Sequence, residues 1–164
     1  MLHGSHIMAG TALYLFLSPI IGMQITAAGI IIAAISSLIV DIDHPKSFIS
    51  HWTAFTKMIS TGISTVTTHR GITHTLYGLT AWIVIIATTL NYLEKAVWSP
   101  ILLGAIIGYL SHLIIDSLNP QGVRWLGEES KIRLKGPIQT GGIIERFGVP
   151  LVFAFIIVKY LQGL

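Results

Sequence analysis

The sequence contains no cysteine and very few charged residues. Its 164 residues include 7 aspartates and glutamates and 10 lysines and arginines, so that 10% are charged and 52% are hydrophobic. Soluble domains carry about 25% charged residues, and disordered tails and coiled coils need the opposite composition, so these classes are excluded. The absence of cysteine excludes disulfides, zinc–thiolate sites, iron–sulfur clusters and cysteine nucleophiles. We therefore expect an integral membrane protein that forms a single domain over residues 1–164.

The hydrophobic residues are concentrated in stretches that predict an all-α fold. Five apolar stretches run over residues 7–21 (broken at Ser18–Pro19), 24–40, 75–93, 97–118 and 147–161. An open sheet cannot lie in lipid, because its edges would leave backbone groups without partners. A full helical crossing needs about 20 residues, so we expect an integral membrane helical bundle of about five transmembrane or partly re-entrant helices. Residues 48–63 could add an amphipathic helix at the interface or packed on the bundle.

The few ionisable side chains are not scattered along the sequence. The chain has only three aspartates, and each lies beside a histidine or one helical turn from one. The three groups that result are Asp41-Ile-Asp43-His44, His69-Arg-Gly-Ile-Thr-His74 and His112-x-x-x-Asp116. Acids that only decorated a surface would not share this neighbour, so the three groups are candidates for one functional site.

The first group closes the second apolar stretch. Pro45 disfavours the helical conformation of the residue before it, so the helix should end here. Negative charge at the C-terminus of a helix is disfavoured by the helix dipole. A bound cation would offset the charge of Asp41 and Asp43, and the alternative is a set of turn residues at the surface.

His112 and Asp116 lie inside the fourth apolar stretch. Their spacing of four residues places them on one helix face, and ionisable groups within a transmembrane segment usually mark a functional site. Asp116 is either a ligand itself or a partner that orients a ligand histidine. The alternative is a His–Asp hydrogen bond that joins two helices.

The remaining candidate residues border apolar stretches. Thr73 is a candidate N-cap for the helix that follows His74, and Arg70 beside a helix N-terminus suits a phosphate group. Glu145 opens the fifth stretch. There it could serve as a metal ligand or general base, or it could complement the helix dipole as a first-turn glutamate.

The predicted topology brings these groups to one side of the membrane. The third and fourth stretches form a hairpin, so His74 and Asp116 lie on the same side, and the loop after Asp43 keeps the first group there. Glu145 precedes the fifth stretch on this side, and two crossings before residue 40 add His6. Eight of the ten basic residues also fall on this side, which the positive-inside rule identifies as cytoplasmic.

The residue types in these groups indicate a metal centre. Histidine and carboxylate ligands without thiolates suit Zn²⁺, Mn²⁺ or Fe²⁺. The candidate ligands exceed what one tetrahedral ion needs, so we expect two divalent ions bridged by a carboxylate, with zinc the first choice. Such a pair activates water and stabilises the attacking and leaving oxygens of a phosphoester. A site near one membrane face would reach the headgroup of a lipid.

Three motifs together resemble the YdjM-like family of inner-membrane metal-dependent hydrolases. They are DIDHPKS at residues 41–47, HRGITHTL at residues 69–76 and GYLSHLIIDSLNPQGV at residues 108–123. A Gly-x-x-x-Glu-Arg element at residues 141–146 precedes the last helix, and His6 matches a histidine just before the family's first helix. The resemblance spans nearly the whole chain. It implies a multi-pass protein of the prokaryotic inner (plasma) membrane with metal-dependent hydrolase activity, and it implies no substrate.

We therefore expect a membrane-bound phosphoesterase that uses a metal-activated water on a lipid or lipid-linked substrate. The expected metal ligands are His6, Asp41, Asp43, His44, His69, His74, His112 and Asp116. Arg70 is expected to hold phosphate, Glu145 to act as base or extra ligand, and Asp43 to take part in catalysis. The expected partners are the bilayer and the substrate, without nucleic acid and with a homo-oligomer left open. The alternatives are a metal-ion or proton transporter and a non-catalytic metal-binding or scaffold protein.

Overall fold

Helices make up nearly all of the regular structure. The computed structural model describes residues 1–66, 71–96, 98–127 and 129–162. In these residues the α-helices are α1 (His3–Ile20), α2 (Ala27–Ile39), α3 (Ala54–Val66), α4 (Leu76–Tyr92), α5 (Pro100–Ser117) and α6 (Val149–Leu161). Short 3₁₀ turns cover Val40–Asp43, Ile49–His51 and Ile72–His74, and a π-helical turn covers Ile144–Gly148. No strand is present in the described ranges, where Val123 and Leu134 form an isolated bridge, so the all-α prediction is confirmed for them.

The helices begin at side chains that cap them. The side chain of Thr26 accepts a hydrogen bond from the backbone N–H of Gly29 at the start of α2. The side chain of Ser99 likewise accepts one from a backbone N–H in the first turn of α5. The cap of α4 is Thr75, whose hydroxyl accepts from the backbone N–H groups of Tyr77 and Gly78. The prediction of Thr73 as this cap is therefore wrong, because Thr73 lies inside the 3₁₀ turn Ile72–His74 and the extended residue before the α-helix is Thr75.

The first helix is not broken where the sequence predicted. Pro19 lies inside α1, which continues to Ile20. A proline removes one intrahelical hydrogen bond, and here it does so in the last turn, where few bonds follow. The hydroxyl of Ser18 donates to the backbone carbonyl of Tyr14 at 2.7 Å in the same turn.

Helix α5 is the centre of the bundle. It packs against α1, α2 and α4, while α6 packs against α1 and α3 packs against the 3₁₀ turns that follow α2. Two thirds of its 18-residue apolar window are buried inside the protein. This central position means that side chains from the C-terminal turns of α5 can meet residues from several other elements.

Small residues bring α2 and α5 into close contact at intervals of four. A Cβ atom at Gly104 would overlap the carbonyl oxygen of Gly29, and one at Gly108 would overlap the carbonyl oxygen of Ala33. One turn further along both helices, His112 stands opposite the carbonyl of Ser37. Small residues at a spacing of four let helix backbones approach closely in membranes, so this contact sets the register in which α5 presents its ionisable residues.

The membrane-crossing prediction is tested only in part by the helix lengths. Among the described residues, α5 is the one helix both long and apolar enough to cross a bilayer, and α4 is a shorter apolar helix. About five crossings therefore remain a prediction from the apolar stretches.

Candidate metal centre

Four separate elements bring six of the predicted site residues together at one end of the bundle. His6 lies near the start of α1, and Asp41 and Asp43 lie in the 3₁₀ turn that follows α2. His74 ends the 3₁₀ turn before α4, and His112 and Asp116 lie near the end of α5. All except Asp41 are buried. In three overlapping groups, these six residues place donor atoms within 4.8 Å of one another.

Four atoms form the centre of this arrangement and are called here the four-donor cluster: Nε2 of His74, Nε2 of His112, Oδ1 of Asp41 and Oδ2 of Asp116. The two Nε2 atoms are 3.3 Å apart. Oδ1 of Asp41 lies 3.4 Å from Nε2 of His74 and 3.7 Å from Nε2 of His112. Oδ2 of Asp116 lies 3.7 Å from each of the two Nε2 atoms.

Five of the six spacings within the four-donor cluster are close to those around a single tetrahedral metal ion. Donor atoms about 2 Å from a tetrahedral ion lie roughly 3.3 Å from one another. The five distances above range from 3.3 to 3.7 Å. Two imidazole nitrogens and two carboxylate oxygens are also a donor set that suits zinc, manganese or iron. The residues present therefore fit a divalent metal ion.

The orientation of His112 leaves its Nε2 directed into the cluster. Its Nδ1 lies 2.7 Å from the backbone carbonyl oxygen of Ser37. A carbonyl can only accept, so Nδ1 carries the proton and, in a neutral ring, Nε2 keeps its lone pair. Histidine ligands of metals usually donate their second ring N–H in this way.

The charges of the cluster compensate one another. Burial by itself would lower the pKa of His74, but hydrogen bonding and proximity to the carboxylates of Asp41 and Asp43 raise it to about 9. Burial opposes ionisation of Asp41, yet His112 and His74 hold its pKa well below its usual range. In the absence of a metal ion, a proton on His74 thus provides part of the positive charge that these carboxylates require.

His6 lies beside the four-donor cluster and makes no hydrogen bond with either ring nitrogen, although it is fully buried. Its ring stacks on that of His112 with centroids 3.8 Å apart, and its Nε2 lies 3.4 Å from Oδ1 of Asp116. The same oxygen accepts from the α-amino group of Met1 at 2.7 Å. The two oxygens of Asp116 therefore face different imidazoles, as the oxygens of a bridging carboxylate do.

Two further predicted residues lie near the cluster but outside the donor groups. His44 is half-buried and lines a cleft of about 400 Å³, which also reaches Asp41 and Asp116. Glu145 is buried in the π-helical turn, where Oε1 accepts from the backbone N–H of Leu2 at 2.5 Å and Oε2 from that of Gly141 at 2.6 Å. Its predicted role as ligand or base stays a prediction. His69 and Arg70 lie outside the described residues.

The cleft combines access to the cluster with basic side chains. Asp41 and Asp116 line it, and so do Lys46, His44 and His3. Gln121 and Thr140 complete its polar lining from the loop that follows α5. Asn119 holds this loop in place, because its side-chain amide donates to the carbonyl of Ile138 and to the hydroxyl of Thr140. A small anionic group can therefore approach the cluster from this side.

The sequence-based reasoning missed two residues that hold the histidines. The carbonyl of Ser37 orients His112, and Thr73 contacts both His74 and Asp43. The small residues Gly29, Ala33, Gly104 and Gly108 at spacings of four were a signal for the first contact. No sequence signal identified the contact of Thr73, because it joins positions 30 residues apart in the chain.

Comparisons with known proteins identify relatives among inner membrane proteins. The family described as "YdjM inner membrane protein" matches residues 1–159. The chain is 38% identical over 120 residues to "Inner membrane protein YdjM" of Escherichia coli (strain K12), and equally to that of Shigella flexneri. Each match covers 70% of this chain and 58% of the relative, so it spans less than two thirds of the relatives' length. No solved structure matches the chain.

Proposed function

Because the chain belongs to the YdjM inner membrane protein family, we propose that it is a metal-dependent hydrolase of the inner membrane. The observation that carries this proposal is the four-donor cluster, whose spacings suit one tetrahedral divalent ion. Zinc is the first choice for this position, with manganese or iron as alternatives. His6 and Oδ1 of Asp116 supply donors for a second ion, which would make Asp116 a bridging carboxylate.

The chain's own residues have distinct tasks in this proposal. Bound divalent ions would activate a water molecule and stabilise negative charge on the substrate. Lys46 and His44 in the cleft would bind the anionic group of the substrate, and Arg70 is proposed for the same task from its place in the sequence. The hydrogen bonds of Glu145 to Leu2 and Gly141 favour a role in fixing the start of α1.

The surroundings of the cluster support a lipid or lipid-linked phosphoester as substrate. The turn that carries Asp41 also carries Ile42, which lines an apolar groove of about 450 Å³ between α3 and α4. Phe48, Trp52 and Phe55 are exposed nearby, each by at least 50%. Exposed aromatic and basic residues on a short amphipathic helix are typical of segments at a membrane surface. A phosphate in the cleft and a hydrocarbon chain in the groove would suit one amphiphilic molecule.

The orientation in the membrane is part of the same proposal. We place the cluster toward the cytoplasm in a multi-pass protein, because eight of the ten basic residues belong to the segments on the cluster's side of the predicted topology. Cysteine accessibility in spheroplasts tests this, since the chain has no native cysteine. A cysteine at Lys46 should stay unlabelled by an impermeant maleimide until the membrane is opened.

The activity is tested on protein purified in detergent. We expect bound zinc, manganese or iron by elemental analysis, and hydrolysis of at least one member of a panel of lipid phosphoesters. His112→Ala should lose both, whereas Ile156→Ala, in an apolar groove between α1 and α6, should keep both. Metal without hydrolysis, combined with metal flux in proteoliposomes, would favour a transporter. If the protein purifies without metal and a chelator leaves its thermal stability unchanged, a scaffold role would be favoured.

A further inference from the structure

We propose that Thr73 is a positioning residue that holds the ring of His74 with Nε2 toward the four-donor cluster, by linking Nδ1 of His74 to the carboxylate of Asp43. This hydrogen-bonded chain of His74, Thr73 and Asp43 is called the relay below. The inference rests on the metal centre proposed above, and it assigns Thr73 a role in ligand orientation that lies outside the donor set itself.

The direction of the relay follows from the hydrogen count of a hydroxyl group. Oγ1 of Thr73 lies 2.7 Å from Oδ2 of Asp43 and 3.2 Å from Nδ1 of His74. A hydroxyl has one hydrogen to donate, and a carboxylate can only accept it. The contact with His74 must therefore be donated by Nδ1–H, which leaves Nε2 of a neutral ring with its lone pair directed at the cluster.

Asp43 cannot perform this task alone. Its Oδ2 lies 3.6 Å from Nδ1 of His74, which is longer than a side-chain hydrogen bond. The hydroxyl of Thr73 bridges this gap, so the charge of Asp43 acts on the ring through an intervening donor and acceptor. Both Asp43 and His74 are buried, so the hydrogen bonds of Thr73 to them form away from water.

The backbone of Thr73 is fixed from the helix that carries the other ligand histidine. The hydroxyl of Tyr109 donates to the carbonyl of Thr73, and Tyr109 lies on α5 three residues before His112. Nδ1 of His112 is held by the carbonyl of Ser37. Both Nε2 donors of the four-donor cluster are thus aimed by a hydrogen bond that the opposite ring nitrogen donates, to a backbone carbonyl in His112 and to a threonine hydroxyl in His74.

The test compares metal affinity among threonine variants of the purified, detergent-solubilised protein. Thr73→Val keeps the shape and removes the hydroxyl, and we expect zinc affinity to fall by about 10- to 100-fold, as for other partners of ligand histidines. Thr73→Ser restores the hydroxyl and should bind zinc as the native protein does. The visible absorption of bound Co²⁺ should also change in Thr73→Val and be restored in Thr73→Ser.

Thr80→Val is the matched control. Thr80 is an exposed threonine of α4 whose hydroxyl donates only to the carbonyl of Leu76 in its own helix. The same chemical change there should leave zinc affinity and the Co²⁺ spectrum unaltered. Asp43→Asn is the second relay variant, and Thr73→Val combined with Asp43→Asn should lose little more than the larger single loss, because both act through one ring.

The outcomes separate this inference from the proposed function. Native zinc affinity and a native Co²⁺ spectrum in Thr73→Val would overturn the relay while leaving the metal centre intact. Absence of metal from the native protein under metal-replete conditions would overturn both. If Thr73→Val does not fold, Thr73→Ala decides: an undiminished affinity in that variant overturns the relay, and a loss with intact binding in Thr73→Ser supports it.

Discussion

Near its start, α1 places His6 among imidazoles and carboxylates, whereas near its end Phe16 and Ile20 line an apolar groove of about 490 Å³ together with α6. Helix α1 thus has very different neighbours at the two ends of the bundle. At the groove end, exposed apolar side chains would contact lipid. At the cluster end, the buried side chains of Asp43, His74, His112 and Asp116 are tolerated because each lies against an oppositely charged or hydrogen-bonding group, and burying an isolated charge would be very unfavourable.

This contrast shows where function and stability can be separated. Changes at the groove end should affect packing only, and changes at the cluster end should affect metal binding first.

Removal of a donor should have the largest effect. We expect His74→Ala and Asp116→Ala each to abolish metal binding, because each removes a corner of the four-donor cluster. Elemental analysis of the purified variants measures this, with Ile156→Ala from the groove end as the control. Native metal content in both donor variants would refute a shared site.

Removal of the metal should lower thermal stability. An ion that binds only the folded state stabilises it by about 4 kcal/mol when its free concentration is roughly a thousand times Kd. A chelator should therefore lower the Tm of the native protein and leave that of His74→Ala unchanged. Equal shifts in the two proteins would mean that the chelator acts away from the cluster.

Disturbing the contact between α2 and α5 should have a smaller effect. Gly108→Ala places a methyl group against the carbonyl of Ala33, and overpacking of this kind costs about 1–3 kcal/mol. The matched control is Gly62→Ala in α3, where the added methyl group meets no atom within 4 Å. We expect that control to gain about 0.5–1 kcal/mol, because alanine favours helices. Denaturation curves compare the two, and equal changes in stability would contradict the close contact.

Substitution of His6 should have the smallest effect on the four-donor cluster. His6→Ala removes a donor of the second proposed position and leaves the four donors unchanged. The metal content should fall by one ion per chain if two are bound, while the remaining ion keeps its native affinity. Loss of both ions in His6→Ala would show that His6 is also needed for the ion in the four-donor cluster. The two ions would then belong to one shared site.

Much of this arrangement could be predicted from the sequence. The apolar stretches located α1, α2, α4, α5 and α6 to within a few residues, and the amphipathic pattern of residues 48–63 anticipated α3. Counting crossings placed His6, His74 and Asp116 on one side, and the structure brings them together. The positions and order of long apolar segments follow from the sequence itself, so these predictions needed no tertiary information.

The finer features depend on tertiary contacts and could not be predicted in this way. A threonine before a helix suggests a cap, and only the position of Asp43 shows that Thr73 has another partner. Glu145 accepts a hydrogen bond from the backbone N–H of Leu2, which lies 143 residues away in the chain. Side-chain hydrogen bonds of this kind are determined by packing, and packing is not visible in local patterns.

The contacts at intervals of four residues along α2 and α5 also have a consequence for biosynthesis. The carbonyls of Gly29, Ala33 and Ser37 meet positions 104, 108 and 112, so a nascent chain lacks half of the four-donor cluster until α5 has left the ribosome and docked. If the proposed metal centre forms, its loading with metal is therefore expected to be a late step in maturation. An insertion of one residue between these contacts in either helix would leave every side chain present and yet turn His112 away from its partner.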